Sequence, residues 1–77
     1  MKDRILDILK EIRPESDFAD STDYLADGLL DSFDMVILVE ALDKSFGISI
    51  EGTEIIPENF TNVDTIQNLL AKSGVQS

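Results

Sequence analysis

Neither cysteine nor histidine occurs in this 77-residue chain, so thiolate nucleophiles, imidazole bases, disulfides and the common zinc ligand sets are excluded. Acid-base chemistry is left to carboxylates, lysines and the lone Tyr24. Paired carboxylates can cleave glycosidic bonds, but they need a cleft for which a single small core leaves little room. Catalysis by this chain alone is not expected. Asp17, Asp20, Asp23, Asp27 and Asp31 form a series of hard oxygen ligands suited to calcium. The series lacks the spacing of an EF-hand loop, because Asp27 is followed by Gly28, Leu29 and Leu30 where ligands should alternate. Loose cation binding that offsets repulsion is expected, and a dedicated metal site is not. The remaining constellation is Asp27 to Asp34, which ends in Asp31, Ser32, Phe33 and Asp34. A hydroxyl there is placed either to cap a helix or to be modified. The local residues by themselves favour capping, by Asp31 or by Ser32.

The elements that must hold Ser32 are legible from periodicity. Ile5, Ile8, Leu9 and Ile12 recur at helical spacing, Leu6 widens the stripe and Pro14 stops it, predicting a first helix over residues 2–13. Residues 14–31 read as a loop, with a single turn of helix around Asp23 to Ala26. Phe18, Tyr24, Leu25, Leu29 and Leu30 make that loop too apolar for a linker, so it should lie over the core. A second helix is predicted from Ser32 to Phe46, with Gly47 as its C-terminal stop. Met35, Leu38, Val39, Leu42 and Phe46 share its core face; Phe33, Ile37, Glu40 and Lys44 share the opposite one. Two large apolar residues one turn apart on an outer face, directly after Ser32, suit contact with a partner better than folding. The alternative for Ile37 is packing beneath the long loop.

Ile48 to Ile50 should be a short extended segment with no strand to pair with. Pro57 opens a short helix through Phe60. A final helix follows Thr61 or Asn62, buries Val63, Ile66, Leu69 and Leu70, and should fray from Ser73 onward. The expected fold is all-α: a small four-helix bundle of three main helices and one short one, in a single domain spanning residues 1–77.

Sixteen acidic side chains against six basic ones leave a net charge of −10. Every charged residue from Glu15 to Asp43 is acidic. Nucleic acid is an improbable partner for such a field, whereas a basic protein surface would be steered toward it. Solubility alone is the plainer account of the acidity. The longest apolar run, Met35 to Val39, is too short to span a bilayer, and the N-terminal residues do not read as a signal peptide. A cytoplasmic monomer that does not insert into membranes is expected.

Residues Asp27 to Leu42 resemble the prosthetic-group site of acyl carrier and peptidyl carrier proteins, through Gly28, Asp31, Ser32, Phe33, Asp34, Val36, Leu38, Val39, Ala41 and Leu42. The similarity runs on through Phe46, Ile50, Asn59 to Val63 and Ile66. It implies an acyl-carrier-type bundle in which a phosphopantetheinyl transferase esterifies Ser32 with 4'-phosphopantetheine from coenzyme A. It also implies an acyl- or aminoacyl-loading enzyme, and downstream acyltransferases or synthases with basic docking surfaces, in fatty acid, polyketide or related biosynthesis. Asp31, Phe33, Asp34, Ile37 and Glu40 are the expected recognition surface, with Asp31 orienting the site by resemblance. The absence of cysteine then has a meaning, since any thioester must form on a thiol that the arm brings.

Two departures bear on the cargo. Phe33 stands where leucine is commoner, and Asp31-Ser32-Phe33, with Thr53, Glu54, Asn59, Phe60 and Thr61, is similar to D-alanyl carrier proteins of Gram-positive cell-wall modification. Ile37 replaces a glutamate with which many fatty-acid carriers meet basic partners, so an aminoacyl cargo is the alternative.

Overall fold

The computed structural model describes residues 2–18 and 21–75. Helices α1 (Lys2–Ile12), α2 (Ser32–Phe46) and α3 (Val63–Lys72) are joined by a long first loop and, between α2 and α3, by 3-10 turns at Gly52–Glu54 and Pro57–Phe60. No strand occurs among the described residues. The all-helical expectation holds, with the short fourth helix realised as the Pro57–Phe60 turn.

Each helix is bounded by local chemistry. Helix α1 turns Ile5, Ile8 and Leu9 inward and ends just before Pro14. Helix α2 begins at an Asp31 capping box and ends where Gly47 takes φ +66°, a left-handed conformation in which its N–H and that of Ile48 both return to the Asp43 carbonyl. Asn62 and Thr65 form a reciprocal capping box at the head of α3. At its tail, the Gly74 N–H bonds Ala71 O and the Val75 N–H bonds Leu70 O at 3.0 Å, while Val75 packs against the core. Of the tail expected to fray from Ser73, this closing turn ties down the residues as far as Val75, and Gln76 and Ser77 lie outside the described residues.

The core draws on every part of the chain. Ile5 and Leu9 from α1, Leu38 and Leu42 from α2, and Ile66 and Leu70 from α3 meet Phe60 from the second 3-10 turn. The long loop contributes as the sequence suggests: Phe18, Tyr24 and Leu30 are buried, and the Phe18 and Tyr24 rings meet edge to face at 5.0 Å. Its hydrogen bonds hold it in place, with the Tyr24 N–H on Thr61 O at 2.7 Å and Asn62 Nδ2 on Thr22 O at 3.1 Å. The turn expected around Asp23 forms, with the Ala26 N–H on Asp23 Oδ1 and the Asp27 N–H on Asp23 O.

Helices α1 and α2 run antiparallel, joined near each end by an arginine. Arg4 donates to the Ser45 hydroxyl and carbonyl and lies 4.5 Å from the centre of the Phe46 ring. Phe46 is half-buried and packs against the core, in keeping with its place on the core face, and the guanidinium lies over its ring at the end of the helix. Arg13 makes the other tie, beside Ser32.

Candidate functional site

Ser32 is the first residue of α2 and is exposed. Capping, the competing use for its hydroxyl, is performed by its neighbour. Asp31 Oδ1 accepts the Asp34 N–H at 2.9 Å, and Asp34 Oδ2 accepts the Asp31 N–H at 3.2 Å. Ser32 and Phe33 are the two residues enclosed between these partners, and both project outward. Their own N–H groups belong to the opening turn of the helix, which has no intrahelical acceptor for them.

Asp34 departs from its expected place on the recognition surface. It is 5% exposed, because its carboxylate faces α1 instead of solvent. Arg13 Nε and Nη2 both donate to Asp34 Oδ2, at 2.9 and 2.7 Å. Arg13 Nη2 also lies 3.6 Å from Asp31 Oδ2. Burial pushes the Asp34 carboxyl upward, but the Arg13 hydrogen bonds, the Asp31 N–H and the guanidinium charge together outweigh it and hold the carboxyl below its ordinary value. Asp34 therefore stays an anion inside the fold and is not available to a partner.

The outer face of α2 is apolar next to Ser32 and charged farther along. Phe33 is 73% exposed, Val36 58% and Ile37 37%, so Ile37 is the most covered of the three. One turn on, Glu40 reaches Lys44 at 4.0 Å, with both side chains in solvent. Asp31 keeps Oδ2 toward the surface. The structure thus brings Asp31, Ser32, Phe33, Ile37 and Glu40 onto one exposed strip and removes Asp34 from it. Sequence reasoning missed Val36 as part of this surface, although its place three residues after Phe33 signals it. It also missed Arg13, whose only sequence signal is being the last cation before an all-acidic stretch.

Two acids of the first loop are engaged in local hydrogen bonds. Asp27 accepts the Ser21 hydroxyl at 2.6 Å, and Asp23 forms the turn noted above. Asp20 lies outside the described residues. Among the described residues, no three acidic groups gather as a metal cage would require. A surface groove along Arg4, Ile8, Ala41 and Ser45 lies toward the far end of α2 from Ser32. No helix among the described residues is long and apolar enough to cross a membrane.

What this arrangement can do is present one hydroxyl at a helix head, beside an apolar patch and within an acidic field. A curated D-alanyl carrier protein from Bacillus velezensis is 33% identical over 73 residues, covering 92% of this chain and 94% of that protein. No protein-family profile matches the chain, and no solved structure matches it.

Proposed function

This chain belongs to the carrier-protein family of the acyl-carrier, phosphopantetheine-binding type, and we propose that it carries an aminoacyl group as a thioester on 4'-phosphopantetheine esterified to Ser32. The observation that carries this reading is the division of labour at the head of α2: Asp31 supplies the cap, so the exposed Ser32 hydroxyl is left for another use. The residues present fit the group. A phosphodiester on Ser32 would meet the unbonded N–H groups of the first turn, where an anion gains about 0.3–1 kcal/mol. Asp31 and Asp34 oppose that gain, and Arg13 offsets their charge. When bound, the arm supplies the thiol that a protein without cysteine lacks.

Similarity to a D-alanyl carrier protein favours an aminoacyl cargo over a fatty-acyl one. The strip beside Ser32 supports the same choice, since Phe33, Val36 and Ile37 offer an apolar contact where an acidic one would serve a basic fatty-acid enzyme. Asp31 and Glu40 still provide negative charge at its rim. The chain's own part is recognition and tethering, which raises the local concentration of cargo at each partner, while a transferase, a loading enzyme and an acceptor enzyme form and break the bonds. These encounters belong in the cytoplasm, where coenzyme A and activated amino acids are made.

The test is intact mass after incubation with coenzyme A and a broad-specificity phosphopantetheinyl transferase. Wild type should gain one phosphopantetheine and Ser32→Ala none. An unmodified wild type across several competent transferases would instead leave an acidic adaptor that binds through α2. The cargo is then read by supplying D-alanine or a fatty acid, each with its matching ATP-dependent ligase, to the arm-bearing protein; fatty-acyl loading alone would overturn the aminoacyl assignment.

A further inference from the structure

Arg13 lies one residue beyond α1, and its N–H still bonds Leu9 O at 2.9 Å, so its backbone moves with that helix. Its guanidinium grips a single oxygen, Asp34 Oδ2, through two N–H groups. That same oxygen accepts the Asp31 N–H, and Asp31 Oδ1 accepts the Asp34 N–H. Asp31 to Asp34 is therefore a closed hydrogen-bonded ring strapped to α1, and Ser32 is inside it. The sequence has no other lysine or arginine from Arg13 until Lys44. Without Arg13, a carboxylate that is 5% exposed would lack a cationic partner and would turn toward water. Turning it out would break the Asp31 N–H bond and loosen the ring.

We propose that Arg13 is a positioning residue for arm attachment: through Asp34 it fixes Asp31, and with it the direction in which the Ser32 hydroxyl leaves the head of α2. The proposal rests on the carrier reading of Ser32. In the transfer, Ser32 Oγ forms a bond to the phosphorus that carries the pantetheine of coenzyme A. The bond from that phosphorus to the bridging pyrophosphate oxygen breaks, adenosine 3',5'-bisphosphate leaves, and the hydroxyl proton passes to a base of the transferase or to water. A nucleophile must be aligned with the bond that breaks, so a mobile Ser32 reduces the productive fraction of bound complexes. Docking through Val36 and Ile37 is a separate matter, because they lie outside the ring, farther along α2. Loss of Arg13 should therefore lower kcat more than it raises KM.

The experiment compares wild type, Arg13→Met, Arg13→Lys, Asp34→Asn and Arg4→Met as full-length substrates of one transferase, at a temperature where circular dichroism shows each to be folded. Arg13→Met should lose about tenfold in kcat with KM for the carrier within about twofold. Arg13→Lys should recover part of the loss, since an ammonium restores the charge but not the fork. Asp34→Asn keeps an acceptor for the Asp31 N–H and should lose about threefold, and it carries the test if Arg13→Met does not fold. Arg4→Met breaks the tie at the opposite end and should load at the wild-type rate. A wild-type kcat in both Arg13→Met and Asp34→Asn would overturn the proposal, as would a loss confined to KM, which would make Arg13 a docking residue. Hydrogen exchange at the Asp31 amide separates this failure from failure of the carrier reading. It should quicken in Arg13→Met and stay slow in Arg4→Met whether or not any variant accepts the arm, and an unchanged rate would overturn the ordering role itself.

Discussion

Two arginines tie α1 to α2, and they do different work because their partners differ. Arg4 meets neutral groups: a hydroxyl, a carbonyl and the face of Phe46. Arg13 meets a buried carboxylate that also closes the cap of α2. Removing Arg4 uncovers a ring and frees two polar groups for water. Removing Arg13 leaves a buried anion unpaired and undoes a helix cap. An arginine's importance is thus set by what its partner would do without it. Here the demanding partner lies at the end that carries Ser32.

A reference point for this comparison lies midway, at Leu38, which is fully buried between the two ties. Leu38→Ala should cost about 2–5 kcal/mol in a denaturant titration, more than either arginine variant. If Arg13→Met costs as much, its end of the pair is as indispensable as the core itself. Next in size is the difference between the ends. Arg13→Met should lower the melting temperature by several degrees more than Arg4→Met, and equal shifts would erase the distinction drawn from their partners.

Acid sharpens the same comparison. The folded Asp34 carboxyl binds its proton less readily than the unfolded one, so its stabilising effect is complete above the ordinary carboxylate value and is lost as pH falls through the lower, folded one. Relief of the −10 net charge acts in the opposite direction, so the quantity to measure is a difference. The gap in melting temperature between wild type and Asp34→Asn should be constant near neutral pH and shrink below about pH 4. The gap between wild type and Arg4→Met should stay flat over that range. The smallest effect on stability is expected at Phe33, which is 73% exposed. Phe33→Ala should change stability by less than about 0.5 kcal/mol while raising KM for the transferase. That is the reverse of the Arg13→Met pattern, and it would separate docking from positioning.

Wherever one segment of the polypeptide contains both the cause and the effect, the sequence was sufficient. Apolar spacing marked α1, α2 and α3; Pro14, Gly47 and Asn62 marked their limits, because stops and caps act over a single turn. Phe33 and Ile37 could be singled out because a helix period tells which side chains turn away from the core, whereas Ser32 stood out only through the resemblance of its surroundings to carrier proteins. The same logic left Asp34 on the outer surface and missed the use of Val75. Asp34 and Arg13 are separated by 21 positions, and nothing in either local pattern says that they meet. Which of Asp31 and Ser32 would cap α2 was equally open, since both residue types can do so. Those choices waited on the packing of α1 against α2, because a charge is drawn inward only where tertiary contact brings it a partner of opposite sign.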